Sequence, residues 1–221
     1  NKVKNLPLIS SIRQKSEIEY LEKCYNSLDL AILNFRNKIK AGMSEVDLTN
    51  LFEEEIKAQG ALSLSFKTIL ALKENSASIH YSTPDKNKIL EDESIILLDC
   101  GGYWKEGLAT DITRTFYFGK SPKAIYKKVY TYGIKAFCVC YLSNEKNARK
   151  LDALARKILS PLEKEGFYFN HGLGHGIGTS VHQNPPVLSM VSNDIIKPYQ
   201  VHSIEPGSYG ISKDNEQFGV R

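Results

Sequence analysis

The sequence predicts an α+β fold built from two related halves, each a pair of helices followed by strands. Three observations carry this. Helical spacing of apolar residues occupies about 14–40 and 44–59, gives way to strand-like runs up to residue 119, then returns at 121–141 and 148–165 before a Gly- and Pro-rich remainder. The apolar run SIILLDC (94–100) and the alternating LATDITRTFYFG (108–119) flank a glycine-containing turn, as neighbouring antiparallel strands do. The 221 residues, 42% hydrophobic and 24% charged, suit one soluble domain with a sizeable core.

Taken in order, NKVKNLPLISSIR (1–13) reads as an extended lead-in. From Gln14 to Lys40 the positions Ile18, Leu21, Leu28, Leu30, Ile32, Leu33 and Phe35 recur at helical spacing, and Gly42 stops the run. Ser44 with Asp47 forms a capping box opening a helix to Gln59, with Gly60 as its C′ residue. LSLSFKTILAL, ASIHY, SIILLDC, GYW and LATDITRTFYFG follow as strands, with Gly101, Gly102 and Gly107 in the turn between the last runs. Tyr103 and Trp104 sit at that hairpin tip, where simple packing is preferred over a pocket wall or an oligomer contact. Ser121-Pro122 opens a helix to Tyr141 with proline at N1. A further helix covers Ala148–Glu165, kinked or restarted at Ser160-Pro161.

A net charge of +4 and a pI near 8.7 are mild, and the lysines are scattered, so a solvated surface is favoured over a nucleic-acid footprint. No apolar run reaches the roughly 18 residues of a membrane helix, and no signal peptide is visible. Cys24, Cys100, Cys138 and Cys140 lack metal or redox spacing and read as buried, reduced thiols of a cytoplasmic protein. The first residue is Asn1 and the last four are FGVR. Both ends read as cuts within a longer chain.

Three of the five histidines, His171, His175 and His182, fall in HGLGHGIGTSVHQNP (171–185). A zinc helix with His171 and His175 at i, i+4 is disfavoured, because glycines at 172, 174, 176 and 178 each cost about 1 kcal/mol in a helix. The stretch instead reads as extended backbone laid close against a site. Asp99 ends an apolar strand and Asp111 starts the next, with Thr113, Thr115 and Tyr117 on its face. The hairpin brings the two aspartates face to face, where both stay ionised only with a cation or proton between them. In QVHSIEPGSYG (200–210), Glu205 ends a short strand before Pro206-Gly207. Any one of these acids alone reads as a cap or a surface ion pair. Three acids with one imidazole favour a hard or borderline divalent ion.

The ordered set IHYS, LLDCGGYWKEGLATDITRTF, HGLGHGIGTSVHQNP, IEPG and FGVR resembles the proline-specific peptidases of the pita-bread family, the Xaa-Pro aminopeptidases and prolidases of peptidase family M24. The likeness covers nearly all the chain from Leu6 onward. It implies the pita-bread fold, with 14–221 as a metallopeptidase catalytic domain cut before its C-terminal end and 1–13 as the linker from a missing N-terminal domain. It implies metal ligands at Asp99, Asp111, His175 and Glu205. It implies catalytic roles for His80, His182 and Glu205, the last as general acid–base, and substrate contacts for His171 and Arg221. It further implies two divalent ions, manganese first with zinc or cobalt as alternatives, a homodimer, and peptides with proline at the second position as substrates. No nucleic-acid or membrane partner is expected. The family's fifth ligand is a glutamate two residues beyond the arginine matched by Arg221. With three carboxylates the second ion is expected to bind weakly. Eleven residues separate the aspartates where the family has ten; a bulge at the glycine turn would absorb one. His202 has no counterpart in the pattern and reads as structural, and Thr113 is expected to hydrogen-bond a ligating carboxylate. Hydrolysis of the N-terminal Xaa-Pro bond is the expected activity; a dipeptidase (prolidase) and a non-catalytic pita-bread binding module are the alternatives, and methionine aminopeptidase is a weaker match.

Overall fold

The computed structural model describes residues 11–221. Of the expected lead-in, residues 1–10 lie outside the described residues, while Ile12 bridges Gln200. The first half opens with α1 (Lys15–Lys38), whose face Leu21, Cys24, Leu28, Ala31, Ile32 and Phe35 is buried. Gly42 turns the chain with φ +93. Ser44 then caps α2 (Glu45–Ala58): its hydroxyl accepts from Asp47 N at 3.1 Å, and Asp47 Oδ2 accepts from Ser44 N at 2.9 Å. Gly60 ends α2 in the left-handed region. There follow β1 (Ser63–Leu64), β2 (Ile69–Leu72), β3 (Ser94–Cys100), β4 (Gly102–Tyr103) and β5 (Ile112–Phe118).

The second half repeats the pattern with α3 (Ala124–Leu142), α4 (Ala148–Leu159) and a 3-10 turn Ser160–Glu165. It continues with β6 (Phe167–Tyr168), β7 (Gly174–His175), β8 (Val187–Leu188), β9 (Ser208–Ile211) and β10 (Gln217–Val220). The kinship of the halves is visible in hydrogen bonds. The cap Ser44 bridges Ile89, with Glu45 N donating to Lys88 O and Leu90 N to Met43 O. The cap Asn147 bridges Ile195, with Ala148 N donating to Asp194 O and Ile196 N to Lys146 O.

All sheets are antiparallel: β2-β3-β5, β10-β9-β6, and the pairs β1-β4 and β7-β8. Every residue of β3 is buried, the apolar Ile95 to Leu98 at its centre together with Ser94 and Asp99. One core packs α1 and α2 on β2 and β3, with Phe35 and Phe52 edge to face at 5.9 Å. The other packs α3 and α4 against Phe167, Phe218 and Val220. The helices thus cover the outer side of the sheets, and the inner side carries the candidate site.

Several expectations are corrected. ASIHY is not a strand; Lys73–Ala77 is a 3-10 turn and the chain bends through His80. The cause is the buried Glu45 carboxylate, which accepts bonds along this segment and curls it away from any ladder. Pro122 lies ahead of the first residue of α3 rather than at N1, with Lys123 as N-cap. Cys138 is exposed, since helical geometry turns it outward while Cys140 faces the core; Cys24 and Cys100 are buried, and no thiol is paired. Trp104 is buried by packing, its Nε1 donating to Thr110 Oγ1 at 3.0 Å. No helix among the described residues is long and apolar enough to cross a membrane.

Candidate metal centre

Asp99 comes from the end of β3 and sits directly opposite Thr113 of β5. Asp111 precedes β5 by one residue, so the aspartates share a face diagonally instead of meeting across the ladder. Tyr25 of α1 fixes the Asp111 backbone: its hydroxyl accepts from Asp111 N at 3.3 Å and reaches Asp111 O at 3.5 Å.

The glycine stretch is extended, with β7 paired to β8. None of Gly172, Gly174, Gly176 and Gly178 has positive φ; a Cβ would meet Leu188 O, Ser203 O, Gln183 O and the Gln183 side chain respectively. The glycines therefore serve close approach to neighbouring backbone and the Gln183 side chain. Ser203 N donates to His175 O at 2.9 Å and Glu205 N to Leu173 O at 2.8 Å, so 203–205 runs beside 173–175. Glu205 lies in this ladder without belonging to a regular strand, contrary to expectation.

These segments converge. His175 Nε2 lies 3.3 Å from Asp111 Oδ2 and 3.3 Å from Glu205 Oε1. One donor atom from each of the three residues falls within 4.8 Å of the other two. His175 Nδ1 faces the Gly176 carbonyl at 3.1 Å and must donate to it, which leaves the Nε2 lone pair aimed at two carboxylates. Three acceptors pointing at one another need a proton or a cation between them. In the metal-free chain a proton fills the gap. Burial alone would depress His175, but Asp111 and Glu205 overcome it and push it up to about 10. Burial would raise Glu205, yet His175 and Arg221 hold it near 2.

Asp99 stands slightly apart. The residue is buried and its carboxylate is paired with the Arg221 guanidinium, while Thr113 Oγ donates to it at 2.8 Å and accepts from Arg221 Nε at 3.0 Å. Burial raises Asp99, to about 6, against the pull of Arg221. The Arg221 cation thus does for Asp99 what the hairpin reasoning asked of an ion.

The remaining histidines surround this core. His171 Nδ1 donates to Gly172 O at 2.8 Å, so Nε2 accepts from Tyr209 OH at 3.0 Å. Burial and Arg221 depress it to about 4, leaving a neutral ring with both nitrogens engaged. The His182 ring is edge to face with His175 at 4.2 Å and is itself lowered by burial and by His175. His202 Nδ1 faces the Ser203 carbonyl at 3.1 Å, and burial lowers the ring.

All eight predicted site residues, His80, Asp99, Asp111, His171, His175, His182, Glu205 and Arg221, line one cavity of about 330 Å³. A larger cavity of about 510 Å³ adjoins Asp111 and Glu205 from the α3 side, but it carries only His202 among the histidines.

The family sequence profile described as Metallopeptidase family M24 matches residues 19–221. The chain belongs to metallopeptidase family M24. Among curated M24 relatives, an uncharacterized peptidase of Bacillus subtilis, YqhT, is 34% identical over 90% of this chain and 55% of its own length. An Xaa-Pro dipeptidase of Pyrococcus horikoshii is 32% identical over 90% of this chain and 55% of its own. The crystal structure of X-Pro aminopeptidase from Thermotoga maritima superposes with a TM-score of 0.83 at 28% identity, covering 96% of this chain and 58% of that one. The chain thus spans about half the length of the relatives it matches, and it has their pita-bread architecture.

Four contributors were missed by sequence reasoning. Ser203 accepts from His175 N at 3.0 Å and donates to Glu205 Oε1 at 2.8 Å. Tyr209 orients His171. Asp152 of α4 accepts from Leu173 N at 3.0 Å and from Arg156 Nε at 2.7 Å, and Arg156 donates to the carbonyls of Phe169 and His171. Ser203 and Tyr209 stand two and four residues from Glu205 and signalled nothing by type. Asp152 and Arg156, at i, i+4 on a helix, read as an ordinary surface pair.

Proposed function

We propose that this M24 chain carries the active site of an Xaa-Pro aminopeptidase, hydrolysing the first peptide bond of substrates whose second residue is proline. The observation that carries the reading is the convergence of Asp111, His175 and Glu205 beside three further histidines in one cavity. The donor set fits a divalent ion: carboxylate oxygens and one correctly oriented imidazole nitrogen suit manganese, zinc or cobalt. Asp111 and Glu205 supply two negative charges, enough for one such ion. A second ion would draw on Asp99, which is here occupied by Arg221, and is expected to bind more weakly. When bound, a divalent ion polarises the scissile carbonyl and lowers the pKa of an attacking water.

The chain's own groups do the rest. Glu205 Oε1 is engaged by Ser203, whereas Oε2 lies 3.9 Å from Arg221 Nη1, beyond hydrogen-bond length. Oε2 accepts the proton of the attacking water and returns it to the leaving proline nitrogen. His80 and His182, exposed on the cavity rim, donate to the carbonyl oxygen as it gains negative charge. His171, with both ring nitrogens bound, contributes its ring face as wall. Arg221 keeps Asp99 ionised and adds positive potential beside Glu205.

A dipeptidase reading is supported by the Xaa-Pro dipeptidase of Pyrococcus horikoshii, 32% identical. Assay of the intact protein with manganese on Xaa-Pro-Yaa and Xaa-Pro side by side separates the two. Tripeptide cleavage supports the proposal, cleavage of the dipeptide alone supports a prolidase, and neither leaves a binding module.

A further inference from the structure

His80 belongs to no regular element, yet the oxyanion role proposed above needs it held within a fraction of an ångström. The segment carrying it, from Leu72 to Asp85, is gathered around one side chain. Glu45, the first residue of α2, is 0% exposed, and its carboxylate accepts four hydrogen bonds. Oε1 takes Leu72 N at 2.8 Å and Asn75 Nδ2 at 3.0 Å; Oε2 takes Tyr81 OH at 2.6 Å and Asp85 N at 2.9 Å. Asn75 also donates to the Tyr81 hydroxyl at 2.9 Å, closing a ring beside His80.

Every donor on this carboxylate comes from the segment on which His80 rides. A buried carboxylate whose purpose was to cap its own helix would bond that helix; Ser44 already does so for α2. The same segment also grips β10: Ser76 Oγ accepts from Gly219 N at 2.9 Å, two residues before Arg221. Glu45 thus stands behind both a cavity histidine and the strand that delivers the arginine.

We infer that Glu45, acting through Tyr81, Asn75 and Asp85, is a positioning residue that holds His80 against the substrate carbonyl. The inference rests on the peptidase reading for its catalytic consequence, but not for the anchoring itself. Glu45→Gln keeps the volume and one acceptor oxygen, and turns an N–H₂ toward Asp85 N–H. Tyr81→Phe removes a single bond next to His80 and serves if the first variant folds poorly.

Two measurements on the intact protein test it. Hydrogen exchange of the 73–85 amides is expected to quicken about tenfold in Glu45→Gln, with β3 and β5 unchanged. Cleavage of an Xaa-Pro-Yaa peptide is expected to lose about tenfold in kcat with KM little changed. In a His80→Ala background the same substitution is expected to cost nothing further, whereas a merely structural role would cost the same factor in both backgrounds. Unchanged exchange in 73–85, or equal losses with and without His80, overturns the inference. If the wild type cleaves no Xaa-Pro peptide, the peptidase reading fails and the exchange result alone decides whether Glu45 anchors the segment.

Discussion

Replacing Ser203 by alanine tests how the site is held open for a cation. The Ser203 hydroxyl accepts from His175 N and donates to Glu205 Oε1, so one small side chain ties two proposed ligands together. A hydrogen bond to a charged group contributes about 1.5–3 kcal/mol, and removing it lets the Glu205 carboxylate rotate away from Asp111 and His175. At about 1.4 kcal/mol per tenfold, this corresponds to roughly 10- to 100-fold weaker binding of a divalent ion, the range seen when groups behind metal ligands are removed. The orphaned His175 N–H adds about 1–3 kcal/mol of destabilisation to the metal-free fold. The assay is competition for Mn²⁺ against a chelating fluorophore, with urea unfolding of the metal-free protein alongside. Affinity within twofold of wild type, together with unchanged unfolding, would refute the reasoning, because it would mean that Glu205 is fixed by something other than Ser203.

Two further predictions concern the walls of the site. His171 is depressed to about 4 in the folded chain, below its ordinary 6.5, so the unfolded chain binds the extra proton between those values. The His171 contribution to stability is therefore full above pH 6.5 and is lost as pH drops toward 4, by up to about 3 kcal/mol at 1.36 kcal/mol per pKa unit; His171→Gln should flatten this part of the fall in urea titrations at pH 7 and pH 4.5, and an identical slope in both proteins would contradict it. Gly176→Ala places a methyl against Gln183 O. It should destabilise by about 1–3 kcal/mol, lowering the melting point by roughly 3–10 °C; an unshifted melting point would show that the neighbouring backbone yields.

Much of this was legible because each helix and strand advertises itself locally. SIILLDC is β3 residue for residue, a short run with apolar Ile95 to Leu98 at its centre, followed by a glycine turn, as a buried strand reads. Ser44 and Asp47 form the expected box, and Gly60 the expected end. The rejection of a zinc helix at 171–175 holds, for glycine-driven close packing leaves no other outcome. What was not legible depended on partners remote in sequence. ASIHY has strand composition, but the carboxylate of Glu45, remote in sequence, curls it. The pairing of Arg221 with Asp99, 122 residues earlier, could not be read from the FGVR motif. Ser203 has an unremarkable side chain whose importance lies wholly in what faces it. The direct opposition of Asp99 and Asp111 was off by two residues, which keeps both on one face: the ladder pairs Asp99 with Thr113.

Everything functional depends on Asp111, His175 and Glu205 acting as one cation site. Equilibrium dialysis of the metal-free protein against Mn²⁺, with His175→Ala and Asp111→Asn in parallel, measures this without reference to any substrate. One ion per chain, lost by about 100-fold or more in each variant, is the expected result. An ion held equally well after either substitution, or none held by the wild type, would contradict the account.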